Sequence, residues 1–219
     1  MGFLDIFRRR AAPVRDAGEL AEFIDANASF VAQKGIYEYS RARAGHYAKV
    51  LFREPEFIAA ADAARWRAYP IGLVMVAELA EGVLCPDDAK RRQAQVEAIG
   101  ELTLAVFDRY PVPPPLRQPV WSGLRAELEQ RLKQIGLHPP KWAKDIPEPY
   151  WETYFNLMPI YEKLKAPDAP TTRNYLRITM VNVHIELTKR IDAISVADSL
   201  QTDPKALRAM VPPAAVNVN

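Results

Sequence analysis

Apolar residues recur at three- and four-residue steps along almost the whole chain, and the alternation of Val, Ile and Thr that marks a half-buried strand is missing. The pattern predicts helices near 17–33, 36–53, 55–67, 70–84, 87–109, 120–135, 149–164, 172–195 and 204–210. Helix starts are legible where a proline takes the first position, because it lacks the N–H that would go unpaired there. "REPEF", "CPDDAKRR", "IPEPYWE", "APTTRNY" and "TDPKALRAM" all read this way. The segment 87–109 has the cleanest period, with Val96, Ile99, Leu102, Val106 and Phe107 beneath a charged opposite face. The expected fold class is all-α, a bundle of about eight to nine helices.

Segment 172–195 carries two apolar stripes. Leu176, Met180, Val183, Leu187, Ile191 and Ile194 form one; Ile178, Val181 and Ile185 form the other. A helix apolar on two sides is expected between two layers, so this segment is predicted to be the buried central helix. "PVPPPLRQP" (111–119) holds five prolines and reads as a stiff polyproline-II connector. The expected organisation is a head (1–12), one helical domain (14–210) with lobes 14–110 and 120–210 joined by that connector, and a frayed tail (211–219).

Composition narrows the function classes. With 49% hydrophobic residues in 219, the chain can bury a substantial core. A net charge of +2 provides no overall field for nucleic acid, and none is expected as partner. Cys85 is the only cysteine, which excludes an intrachain disulfide and fits a reducing compartment. The longest membrane-like run, "AYPIGLVMVA" (68–77), is about half a bilayer span. A cytoplasmic protein is expected.

The first residues, "MGFLDIFRRR", change that picture. Wound as a helix, Phe3, Leu4, Ile6 and Phe7 fall on one side with Asp5 opposite, and Arg8, Arg9 and Arg10 follow. The apolar wedge is worth about 6–8 kcal/mol gross on burial, and each arginine adds about 1 kcal/mol near an anionic leaflet. So short a helix is marginal in water and needs a surface to organise it. Docking on a membrane or partner is the first expectation, and folding back into a groove of its own domain the second. Myristoylation is not expected, because position 6 is Ile rather than Ser or Thr.

Candidate chemistry is sparse. Arg43 falls within an apolar stripe of Ile36, Tyr39, Tyr47, Val50 and Leu51, four residues from each tyrosine. A buried guanidinium keeps its charge and must meet an anion. A structural carboxylate such as Glu78, Glu101 or Glu186 is the first expectation; an anion-binding site of Arg43, Tyr39 and Tyr47, with His184 and Arg177 from the central helix, is the alternative. His184 and Glu186 point about 200° apart on a helix and cannot share a substrate. Neither His-x-x-x-His nor Glu-x-x-His occurs, and there is no phosphate loop or Gly-x-Ser-x-Gly elbow. No metal and no cofactor is expected, and no catalytic residue is identified. The sequence thus points to a helical adaptor or accessory protein held peripherally at a membrane by its head. An anionic small-molecule binder or enzyme around Arg43 and His184 is the rival. The expected partners are an anionic membrane surface, a membrane-associated protein or a second copy of the chain.

Overall fold

A computed structural model describes residues 12–86, 88–211 and 213. The head residues 1–11, Asp87 and the tail residues 212 and 214–219 lie outside the described set, and with them the predicted wedge Phe3, Leu4, Ile6, Phe7, Arg8, Arg9 and Arg10. The fold is all-α. Its helices are α1 (Ala17–Ala44), α2 (Ala48–Leu51), α3 (Pro55–Leu84), α4 (Ala89–Asp108), α5 (Gln118–Gln134), α6 (Trp151–Asn156), α7 (Glu162–Lys165), α8 (Ala169–Arg190), α9 (Ala193–Leu200) and α10 (Pro204–Met210).

Two predicted breaks are absent. Gly35 does not end α1; it makes room for Tyr154, whose hydroxyl lies 1.9 Å from where a Cβ would stand and donates to the Val31 carbonyl at 2.6 Å. Helix α1 ends instead at Gly45, where φ of 54° suits a residue without Cβ. Pro70 does not start a helix but sits inside α3, leaving one 30-residue element. Its missing N–H costs one helical bond, and dense packing around the site holds the helix together.

The central helix is therefore α3 and not 172–195. Every residue from Ala68 to Glu81 is buried, and α1, α4, α5, α8 and α9 pack around it. The apolar run once readable as half a bilayer span is a core helix enclosed on all sides. Helix α8 has one buried face, of Leu176, Met180, Val183 and Leu187, while Ile178, Val181 and Ile185 face outward. It also stops at Arg190. There Val14 N–H donates to the Arg190 carbonyl at 3.0 Å and Asp192 N–H to the Val14 carbonyl at 2.8 Å, a β-bridge that ties the segment before α1 to the end of α8. Asp192 then caps α9, accepting from Ser195 N–H at 3.2 Å.

The stripe of α4 is buried as its period predicts, and Asp88 caps the helix by accepting from Arg91 N–H at 2.8 Å. In the proline-rich connector, Val112, Pro113 and Leu116 turn toward the core before α5 begins. One hydrophobic cluster runs from Val14 to Leu207 and draws on both sides of that connector. Among the described residues no helix is long and apolar enough to cross a membrane.

Candidate functional site

The residues expected around Arg43 separate. On the last turn of α1, Arg43 Nε lies 3.4 Å from Asp168 Oδ2, and Nη2 donates to the Leu164 carbonyl. Tyr39 donates its hydroxyl to the same Asp168 oxygen at 2.9 Å. Burial, then the hydrogen bond and charge of Asp168, hold Tyr39 neutral well above the usual tyrosine range. The Arg43 side chain is 38% exposed, so it is not a buried cation, and its carboxylate is none of Glu78, Glu101 or Glu186. Tyr47 lies beyond Gly45, where the helical register is lost; it is 65% exposed and rests on His46 at 4.1 Å between ring centroids. Arg177 and His184 lie on another flank, along α8, with Arg177 3.7 Å from both Asp145 and Glu148.

A buried cation the sequence did not single out is Arg109, at the end of α4, its side chain 7% exposed. Its guanidinium pairs with Asp25 and, at 2.6 Å, with Glu22. Tyr69 also donates to Asp25, as does Tyr110 at 2.8 Å. Burial works against the charge of Arg109, but the hydrogen bond it donates to Glu22 and the charge of Asp25 more than offset it, so its pKa rises. Burial and the neighbouring Asp25 likewise keep Tyr69 and Tyr110 neutral above their ordinary range. The sequence signal for this network was Asp25 itself, a carboxylate between Ile24 and Ala28 on the buried face of α1.

The candidate site forms where α3 leaves the core. Glu78 and Glu81 are both buried. Lys141 Nζ stands 2.7 Å from Glu78 and His138 Nε2 3.7 Å from it. Arg92 Nε meets Glu81 at 2.7 Å, and Arg92 Nη2 donates to the His138 carbonyl at 2.7 Å. These ties fasten the proline-rich segment 137–149 across α3, and a groove of about 470 Å³ opens between that segment and α8. Leu79, Ile146, Pro140 and Val181 give it apolar walls; Lys141, Trp142, Lys144 and His184 stand at its edge.

Trp142 is 79% exposed. Beside it the outer stripe of α8 is uncovered, with Ile178 at 62%. Lys144, Lys189 and His184 have no carboxylate partner among the described residues. The face is thus apolar with a cationic rim. The nearby Cys85 thiol is pushed up by burial and by the charge of Glu81, away from the thiolate. Among the described residues no group of three or more His, Cys, Asp or Glu side chains is placed to hold a metal ion. Against known proteins, the chain matches no family model, no curated protein and no solved structure, so its function must be argued from this geometry alone.

Proposed function

We propose that this is a helical accessory protein that associates peripherally with an anionic membrane surface. The observation that carries the reading is the uncovered face of α8 with Trp142. An indole, a stripe of isoleucine and valine, and unpaired lysines are the side chains that lodge at a headgroup boundary, the rings and methyls in the acyl edge and the ammonium groups against lipid phosphates. Residues 2–10 of the head supply a second attachment of the same chemistry, four large apolar residues followed by three arginines. Two weak attachments on one chain reinforce each other through effective concentration. The helical body is then free to act as an adaptor on the side away from the lipid.

Cosedimentation with vesicles of equimolar phosphatidylglycerol and phosphatidylcholine tests this. Trp142→Ala and the pair Ile178→Glu with Ile185→Glu are expected to weaken binding about tenfold or more without altering thermal stability, since all three side chains are exposed. Deleting residues 2–10 is expected to weaken it separately. Salt should loosen binding in part, by screening the cations and not the apolar groups. If the full-length protein stays in the supernatant at low salt, the reading is wrong.

A second reading has its own observation: the groove beneath Trp142 has the size of a metabolite site and cationic edges. As a site for a small carboxylate or phosphate, it predicts a thermal shift with such anions that His184→Ala and Lys144→Ala abolish. Arg43 does not contribute to it, because Asp168 already compensates its charge.

A further inference from the structure

The groove beneath Trp142 and the bare stripe of α8 share a wall, since Val181 lines the one and belongs to the other. Leu79 and Ile146 lie deepest in it, both buried. Its ionisable side chains are all basic, Lys141, Lys144 and His184, and no Asp or Glu stands among the described residues that line it. Lys141 is engaged, at 2.7 Å from Glu78, whereas Lys144 and His184 have no carboxylate partner among the described residues. Asp145, next to Lys144 in the chain, is turned to Arg177 at 3.7 Å.

Gly82 deepens the groove. It sits inside α3, where glycine weakens a helix relative to alanine. Gly35 and Gly72 are held to glycine by contact: a Cβ would stand 1.9 Å from the Tyr154 hydroxyl at the first and 2.7 Å from the Ala28 carbonyl oxygen at the second. At Gly82 a Cβ would meet only Pro140 within 4 Å, at an ordinary 3.7 Å. Neither backbone nor packing asks for glycine there, and what the missing side chain leaves is room between α3 and the proline-rich segment.

We infer that this groove takes an acyl chain of one anionic phospholipid, whose phosphate is held at the edge by Lys144 and His184. The inference deepens the membrane reading proposed above and rests on it, since the bilayer is the source of the lipid. An apolar trough with basic groups at its edge matches an amphiphile with one anionic head. A bare phosphate leaves the trough unused, and a neutral chain leaves the cations without a partner. At about 470 Å³ the groove is near the small end of ligand sites, about 300–1,000 Å³, and holds part of one chain rather than a whole diacyl lipid. A lipid drawn partway out of the leaflet then gives a saturable site, which the outer stripe of α8, acting by partition, does not.

The test titrates the full-length protein in a calorimeter with monomeric short-chain lipids: dibutanoyl and dihexanoyl phosphatidylglycerol, dihexanoyl phosphatidylcholine, and glycerol 3-phosphate as the head alone. Dihexanoyl phosphatidylglycerol is expected to bind one per chain, about tenfold or more tighter than the dibutanoyl form, since each buried methylene is worth about fourfold. It should also bind about tenfold tighter than the phosphatidylcholine. Gly82→Leu fills the groove from α3, and Val181→Trp, at an exposed position, narrows it from α8; either should weaken binding about tenfold, and Val181→Trp carries the test if Gly82→Leu does not fold. Lys144→Ala with His184→Ala should remove the preference for phosphatidylglycerol and keep the chain-length step. Dihexanoyl phosphatidylglycerol that does not bind, does not saturate, or binds the groove-filling variants as tightly as wild type overturns the inference. Glycerol 3-phosphate binding as tightly as the lipid also overturns it, and leaves a small-anion site. Cosedimentation separates the two claims. Wild-type protein that pellets with phosphatidylglycerol vesicles but has no saturable lipid site keeps the membrane reading and sinks the acyl-chain site. A saturable site closed by Val181→Trp, in protein that stays in the supernatant with vesicles, does the reverse.

Discussion

Replacing Asp25 by Ala removes a carboxylate that joins three elements. Asp25 on α1 receives the hydroxyls of Tyr69 from α3 and Tyr110 from the end of α4, and a guanidinium N–H of Arg109. The two charged side chains are 12% and 7% exposed, so water cannot replace what is lost. Breaking a buried ion pair costs about 3–5 kcal/mol, because the surviving charge stays buried. Glu22 remains on Arg109 at 2.6 Å and softens that penalty, while the Tyr69 hydroxyl, left without its acceptor, adds about 1–3 kcal/mol. The expected loss is about 3–5 kcal/mol, or about 6–20 °C in Tm for a chain of this size. Urea unfolding followed by circular dichroism measures it. Asp25→Asn keeps an acceptor oxygen and should lose less, about 1.5–3 kcal/mol. Combining Asp25→Leu with Arg109→Met should recover much of the stability, since no charge is left stranded. A loss below about 1 kcal/mol for Asp25→Ala would refute the claim that this network carries a desolvated pair.

Leu187→Ala should cost about 2–5 kcal/mol, whereas Ile185→Ala two residues away should stay within about 0.5 kcal/mol; equal costs in urea unfolding would mean that both faces of α8 are covered. Arg43→Met should change stability by less than about 1 kcal/mol, since its pair with Asp168 is partly exposed, and a loss of 3 kcal/mol or more would return Arg43 to the core. Stability should fall as pH rises above about 10. Burial, aided at Tyr69 by Asp25 and at Tyr150 by Glu78, keeps Tyr69, Tyr154 and Tyr150 protonated in the fold, the last up to about 12. The unfolded chain releases those protons first, so each tyrosine removes up to about 1.4 kcal/mol per pH unit above its ordinary value and nothing below it. Urea midpoints that stay level between pH 9 and 11 would contradict this.

How far the sequence reached depended on whether a residue's role was local. The α4 stripe and the Asp203–Pro204 start of α10 are decided within one or two turns, and both stand in the fold. The breaks predicted between 33 and 36 and between 67 and 70 are absent because distant partners override local tendency: Tyr154 fills the notch at Gly35, and five helices enclose the stretch around Pro70. Arg43 was misplaced by a register that Gly45 breaks. The buried pair of Asp25 and Arg109 spans 84 residues, a separation at which periodicity carries no information. Of the candidate site, His184 was legible as a polar residue on α8 and Glu78 as a structural carboxylate; that Glu78 meets Lys141 and that Trp142 stands outward were not, because these residues come together only once the proline-rich segment is laid across α3.

That last arrangement has an energetic oddity that bears on function. Two carboxylates within four residues of the otherwise uncharged stretch 68–84 of α3 are costly, and apolar side chains of similar volume would serve the core as well or better. What Glu78 and Glu81 provide is direction. An apolar contact would let the segment 137–149 slide over α3, whereas Lys141 at 2.7 Å from Glu78, and Arg92 tied both to Glu81 and to the His138 carbonyl, admit one register. In that register Trp142, the residue next to Lys141, stands outward, 79% exposed, beside the bare stripe of α8. The exposed indole is thus held out by ionic ties that the fold maintains at a cost to its core. Under the membrane reading proposed above that indole is the anchor, a place Arg43 cannot take because Asp168 already compensates its charge.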